Sequence, residues 1–186
     1  TWLEYPSIMS ELILGGGCFW CTEAVFSEVK GVISVQPGYS GGNTLNPSYA
    51  DICTGTTGHA EVIKITYDQD VIDIVDLFTV FFSTHDPTTL NRQGGDVGTQ
   101  YRSVIFYNSS STKQLSEIAI NAAKNSGEFT SPIVTSLEKF SVFYPAENYH
   151  EDYYAKNSNG SYCSFVITPK LEKFKSNFSS LLKEAN

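Results

Sequence analysis

An α/β (α+β) fold is the architecture this sequence predicts: one domain over 1–186, built as a two-layer sandwich of a mixed β-sheet and packed helices with long functional loops. Three observations lead there. Strand-type and helix-type patterns alternate about one for one along the chain, and no internal repeat or linker interrupts them. The 186 residues are 41% hydrophobic and 17% charged, which supplies a sizeable core and excludes a disordered chain. One long uneven stretch, His85 to Gln100, is rich in Asp, Asn, Gly and Thr, and a loop of that length inside a compact domain is usually functional.

The elements follow in order. Residues 1–10 read as a loosely held arm, and Glu11–Leu14 as a short strand. Three glycines then make a tight turn, Gly15-Gly16-Gly17, before a helix over Phe19–Val29. Val32–Tyr39 is a second strand, broken by Pro37 and Gly38, and Ser40–Pro47 is a glycine-rich loop. One helical turn is expected at Tyr49–Cys53. His59–Tyr67 alternates Ala60, Val62, Ile63, Ile65 and Tyr67 around Glu61, Lys64 and Thr66, which predicts a strand. Asp73 can cap a helix to Ser83 that places Ile74, Leu77, Phe78, Phe81 and Phe82 at helical spacing. Beyond the long loop come a strand at Tyr101–Tyr107, a helix at Ser111–Ser126 ended by Gly127, and a strand at Ile133–Leu137. A short helix at Glu147–Lys156 follows. The C-terminal tail, 157–186, opens on an Asn/Ser/Gly turn, carries Cys163 on a mobile segment, and ends in an amphipathic helix from Pro169 to Lys183.

A formal charge of −8 argues against a nucleic-acid or anionic-membrane partner, since both need a basic surface. No apolar run approaches the roughly 20 residues of a membrane span, and no secretory leader is visible. The four cysteines, Cys18, Cys21, Cys53 and Cys163, are too few for a disulfide scaffold and suit a reducing, cytoplasmic setting with some thiols kept for chemistry.

The stretch Gly17-Cys18-Phe19-Trp20-Cys21 carries the chemical signal. A thiol at a strand-to-helix turn meets unpaired N–H groups and the positive end of the helix dipole, both of which favour the thiolate. Cys18 and Cys21 form a C-x-x-C with three readings: buried small hydrophobes, half of a metal site, or a redox or nucleophilic pair. The bulky Phe19 and Trp20 between them look like a pocket wall. His59-Ala60-Glu61 resembles the H-x-E of zinc deaminases, but the order of the two motifs is reversed. Glu61 either faces solvent or points into an aromatic site, where burial would keep it protonated as a general acid. Tyr49 and Tyr101 can be core tyrosines or phenol donors to a substrate oxygen, and Asp96 can be a turn residue. Cys53, after apolar Ile52, reads as a buried, inert thiol.

Taken in order, Gly17-Cys18-Phe19-Trp20, Gly38-Tyr39-Ser40-Gly41-Gly42, Asn46-Pro47-Ser48-Tyr49, Gly58-His59-Ala60-Glu61-Val62, His85-Asp86-Pro87-Thr88, the run Asn91 to Ser103, and Glu147-Asn148-Tyr149-His150 resemble the peptide methionine sulfoxide reductase A family over about residues 11–165. The resemblance implies Cys18 as nucleophile and Glu61 as acid. It implies Phe19 and Trp20 around the substrate methyl, and Tyr49 and Tyr101 on the sulfoxide oxygen with Asp96 in support. It further implies a substrate of the S epimer, thioredoxin as reductant, and no metal or organic cofactor. Cys21 stands where many members have glycine. Two resolving thiols are therefore open, Cys21 and Cys163, with the mobility of the tail favouring Cys163. Nothing in the sequence demands more than a monomer.

Overall fold

The computed structural model describes residues 9–184. Eight strands and six helices run in the order β1 (Met9–Gly15), α1 (Phe19–Phe26), β2 (Val32–Ser40), α2 (Tyr49–Cys53), β3 (Ala60–Asp68), α3 (Ile74–Thr84), β4 (Arg92–Gln93), β5 (Asp96–Val97), β6 (Val104–Tyr107), α4 (Ser110–Asn125), β7 (Ser136–Lys139), β8 (Phe143–Pro145), α5 (Tyr153–Asn157) and α6 (Thr168–Asn177). Six strands form one sheet in the order β7-β6-β1-β3-β2-β8, and β4 and β5 pair separately as a small ribbon. Every pairing in the large sheet is antiparallel except β6 with β7, so the sheet is mixed, as expected.

Strand alternation divides the core. Leu12 and Leu14 of β1, Ile63, Ile65 and Tyr67 of β3, and Ile105 of β6 face one side, where α1, α3, α4 and α6 cover them through residues such as Phe26, Phe81, Ile120 and Phe174. Ile13, Ala60, Val62, Val104 and Phe106 face the other side, a smaller apolar strip covered by Phe140 and Phe143. The Asp73 side chain accepts the Val75 N–H at 3.0 Å and caps α3 as its sequence predicts. Ser109 caps α4, and Gly127 ends it at φ 76°.

Several expectations shift. Met9 and Ser10 belong to β1 rather than to the arm, and residues 1–8 of that arm lie outside the described residues. Pro37 and Gly38 do not break β2. The strand pairs with β3 through both, and its ladder with β8 begins only at Gly38, just past the proline. Tyr101 lies in a 3₁₀ turn, Thr99–Tyr101, ahead of β6. The expected helix at Glu147–Lys156 divides into a 3₁₀ turn, Asn148–His150, and α5, because Asp152 between them takes a left-handed φ of 52°. Cys163 begins a π-helical turn, Cys163–Ile167, that runs directly into α6. Among the described residues, no helix is long and apolar enough to cross a membrane.

Leu14 is fully buried on β1, the strand held between β3 and β6. Leu14→Ala should cost about 2–5 kcal/mol. In urea unfolding this appears as a lower midpoint at unchanged slope.

Candidate active site

The three-glycine turn brings the start of α1 against β3. A Cβ on Gly15 would lie 2.9 Å from the Glu61 carbonyl oxygen. Gly17 has a φ of 89°, and a Cβ there would meet the Gln93 side chain at 2.6 Å. Cys18 follows as the N-cap of α1 with extended backbone angles, φ −62° and ψ 127°, and its carbonyl accepts the Cys21 N–H at 3.0 Å. Its side chain makes no capping bond and is left to face the interior.

Glu61 shares its strand face with Ile63, Ile65 and Tyr67, so the alternation that builds the core also turns this carboxyl inward. It is 2% exposed. The Phe19 N–H, one of the unpaired donors at the start of α1, donates to Glu61 Oε1 at 3.2 Å. Burial pushes the carboxyl up to about 8 despite that bond, and the nearby negative charges of Asp96 and Cys21 add to the shift. Glu61 is therefore protonated at neutral pH.

Tyr49 and Tyr101 are half-buried beside it. Burial first, and the Glu61 charge second, hold both phenols above their ordinary value, so both remain O–H donors. Asp96, at the β4–β5 ribbon, accepts the Tyr162 O–H at 2.9 Å. Five of the residues singled out from the sequence thus converge: Cys18, Glu61, Tyr49, Tyr101 and Asp96.

The aromatic wall comes from distant segments. The Trp20 indole stacks on Tyr153 with ring centroids 3.7 Å apart and planes 6° from parallel. Its N–H donates to Nδ1 of His150 at 3.0 Å, which places the imidazole proton on Nε2. Burial keeps His150 neutral by lowering its pKa. Phe19 is fully buried behind this wall, its ring 5.0 Å from His150 and 5.7 Å from Tyr39. Glu147 accepts the Tyr39 O–H at 3.2 Å and the Tyr49 N–H at 3.1 Å, joining the segment before α5 to β2 and α2. Tyr39, Glu147, His150, Tyr153 and Tyr162 were not singled out from spacing. The signal for Glu147, His150 and Tyr153 was the polar-aromatic run from Glu147 to Tyr154, broken by the left-handed Asp152; Tyr39 and Tyr162 lie outside it.

Three thiols, Cys18, Cys21 and Cys163, pack in one buried cluster with Ala24 and Ile167. Burial works against the thiolate expected at Cys18. Desolvation pushes Cys18 well above the ordinary thiol range, helped by its hydrogen bond toward Cys21 and by the Glu61 charge, and the Trp20 N–H offsets only part of this. Cys21 moves the other way, down to about 7: the Cys18 thiol hydrogen-bonds to it, and Lys170 and the Tyr162 hydroxyl, 3.7 Å away, add to that against the cost of burial. Cys53 is exposed, not buried: it follows Ile52 on α2, and Ile52 is the residue of that helix that is buried. The zinc-type reading loses its histidine, because His59 Nδ1 accepts the Gly42 N–H at 2.9 Å and Nε2 faces the Thr44 carbonyl at 2.7 Å. Among the described residues no group of three or more His, Cys, Asp or Glu side chains is placed to hold a metal ion.

A family model for peptide methionine sulfoxide reductase matches residues 10–182. The peptide methionine sulfoxide reductase MsrA of Saccharolobus solfataricus is 52% identical over 175 residues, 94% of this chain and 98% of that protein. Among solved structures, methionine sulfoxide reductase A of Corynebacterium diphtheriae superposes with a TM-score of 0.75 at 33% identity, covering 86% of this chain and 80% of that one. The reduced form of Mxr1 from Saccharomyces cerevisiae gives the same TM-score of 0.75 at 34% identity, over 86% of this chain and 91% of its own. A match across nearly the whole length, on a fold whose glycine turn sets a buried thiol beside a buried acid, is decisive: the chain belongs to the peptide methionine sulfoxide reductase family.

Proposed function

We propose that the whole chain acts as one catalytic domain that reduces the S epimer of methionine sulfoxide, free or in oxidised proteins, with Cys18 as nucleophile and Glu61 as general acid. The observation that carries this reading is the bond from the Phe19 N–H to Glu61 Oε1, which fixes a neutral carboxyl against the turn that bears Cys18 and leaves its other oxygen for a substrate.

A sulfoxide sulfur is a poor electrophile until its oxygen takes up a proton. Tyr49 and Tyr101 orient that oxygen by hydrogen bonds, Asp96 supports them from the ribbon, and Glu61 supplies the proton. Trp20 cradles the S-methyl group, with Phe19 packed behind it. Cys18 sulfur attacks, and the oxygen passes from the substrate sulfur to Cys18. Sulfoxide plus thiol becomes sulfide plus sulfenic acid, so atoms and electrons balance. The thiol proton restores Glu61 as the acid's own proton goes to the oxygen. A second thiol, Cys21 or Cys163, then condenses with the sulfenic acid, forming a disulfide and releasing water. An external dithiol reduces that disulfide by exchange. Thioredoxin is the reductant we assign, and Mxr1 of Saccharomyces cerevisiae has been solved in complex with Trx2. The chemistry of these side chains calls on no metal or organic cofactor. A monomer in the reducing cytoplasm completes the reading.

Two outcomes test it. With dithiothreitol and separate epimers of a methionine sulfoxide substrate, the wild type should turn over the S epimer and Cys18→Ser neither. Binding that survives Cys18→Ser together with a wild type that forms no methionine would instead mark a non-catalytic binding module. The rate of methionine formation should hold to neutral pH and fall above about 8, where Glu61 loses the proton it must donate. Glu61→Gln cannot ionise, so it should lower the rate by about 10²–10⁴-fold and remove that limb of the pH profile.

A further inference from the structure

The glycine turn ahead of Cys18 is gripped from two sides by the two ends of one segment, 85–93. On one side lies the His85 ring: a Cβ on Gly16 would stand 3.1 Å from His85 Cγ. That ring is fixed at both nitrogens. Its Nδ1–H donates to the Phe81 carbonyl at 2.5 Å, and Nε2 meets the Ser103 hydroxyl at 2.7 Å, which meets Thr135 Oγ1 at 2.7 Å. On the other side lies the Gln93 side chain: a Cβ on Gly17 would stand 2.6 Å from its Cγ. The Gln93 amide then closes the segment on itself. Its Oε1 accepts the Asp86 N–H at 2.7 Å, and its Nε2–H donates to the Asp86 carbonyl at 2.8 Å. The side chain is thus paired with backbone as a neighbouring strand would be, one residue from the fixed His85. A carboxylate of the same shape could not complete this pairing, because it has no donor.

We infer that Gln93 is a positioning residue for Cys18: its amide fastens the segment 85–93 around the glycine turn, and this fixes where the start of α1 presents the Cys18 thiol and the Phe19 N–H. The inference rests on the reductase reading above. The turn has no side chains of its own to hold it. Gly15 is set by the sheet, where a Cβ would lie 2.8 Å from Val104 Cγ1. Gly16 and Gly17 lie beyond that support, and the freedom of glycine in φ leaves their path to be set from outside. Among the described residues, the Gln93 side chain hydrogen-bonds only to the Asp86 backbone, so it reaches the chemistry through the turn. Gln93 also pairs with Asp96 across the β4–β5 ribbon, but that ladder is main-chain and survives a change of side chain. Attack on sulfur needs the thiol aligned with its target, and a misplacement of about 1 Å can cost about 10²-fold in rate.

Two variants of the intact chain test this, assayed with dithiothreitol and the S epimer across the pH range. Gln93→Met keeps the length of the side chain and loses both amide bonds. It should lower kcat about 10–100-fold and leave KM nearly unchanged. The alkaline limb of its pH profile should also move. The Phe19 N–H holds the Glu61 carboxyl down and the Asp96 charge pushes it up, so release of the turn shifts the limb to higher pH, whereas displacement of the ribbon shifts it to lower pH. Gln93→Glu is isosteric, and protonation gives it back the missing donor. The ratio of its rate to that of the wild type should rise as the pH falls toward about 4.3, while the ratio for Gln93→Met stays flat. A wild-type kcat in Gln93→Met, a limb that stays in place or moves down, a loss confined to KM, or a Gln93→Glu ratio that does not respond to pH would each overturn the inference and leave the reductase reading standing. A fold defect alone falls among these outcomes, since it lowers the active fraction without moving the limb upward. No turnover by the wild type would overturn both.

Discussion

The hydrogen bond from the Phe19 N–H to Glu61 Oε1 is the constraint on which the site depends, because it joins the start of α1, beside Cys18, to β3. The first N–H groups of a helix have no partner within it, and their dipole favours an anion. Glu61 answers the first need and resists the second. Desolvation on an apolar strand face outweighs both the dipole and the hydrogen bond, so the carboxyl stays protonated up to about 8. The glycine turn follows from the same constraint: Gly15 abuts the Glu61 carbonyl, and a side chain there would push the turn off the strand.

Electrostatics in the site work by exclusion rather than attraction. The chain carries a formal charge of −8, yet its catalytic end holds its groups neutral: Cys18 and the tyrosines are pushed up by burial, and His150 is pushed down by it. A neutral acid, neutral phenols and a dry aromatic wall suit a polar but uncharged substrate whose reacting end is a sulfur with a methyl group. Cys21 is the exception. The Cys18 thiol, Lys170 and the Tyr162 hydroxyl all favour its charged form against the cost of burial.

How much of this was legible follows from which interactions are local. The core strands were readable because their alternation is strong, and Glu61 could have been placed by phase alone, in step with Ile63, Ile65 and Tyr67. Cys18 was readable as a thiol at a turn. Its protonation state was not, because helix-end electrostatics are visible in sequence and burial is not. Cys53 was misjudged for a related reason: a short helix buries one face, and Ile52 had taken it. β8 and the β4–β5 ribbon were missed because strands of two or three residues carry no periodicity. The partners of Trp20 lie 130 and more residues away, and no local rule predicts that His150 will accept its indole N–H.

Those distant partners decide how the site is held together. The segment from Glu147 to Cys163 supplies the Tyr49 clamp through Glu147, the indole acceptor through His150, the stacking ring through Tyr153, the Asp96 contact through Tyr162, and the third thiol through Cys163. One stretch of chain therefore builds much of the pocket wall and also carries the third thiol of the buried cluster. Tyr162, next in sequence to Cys163, donates to Asp96 and meets Cys21 among the thiols. The contacts on both sides of the site are thus carried by the same short, mostly polar backbone. That backbone is kept in place by side-chain contacts to α1 and the β4–β5 ribbon rather than by membership in the large sheet.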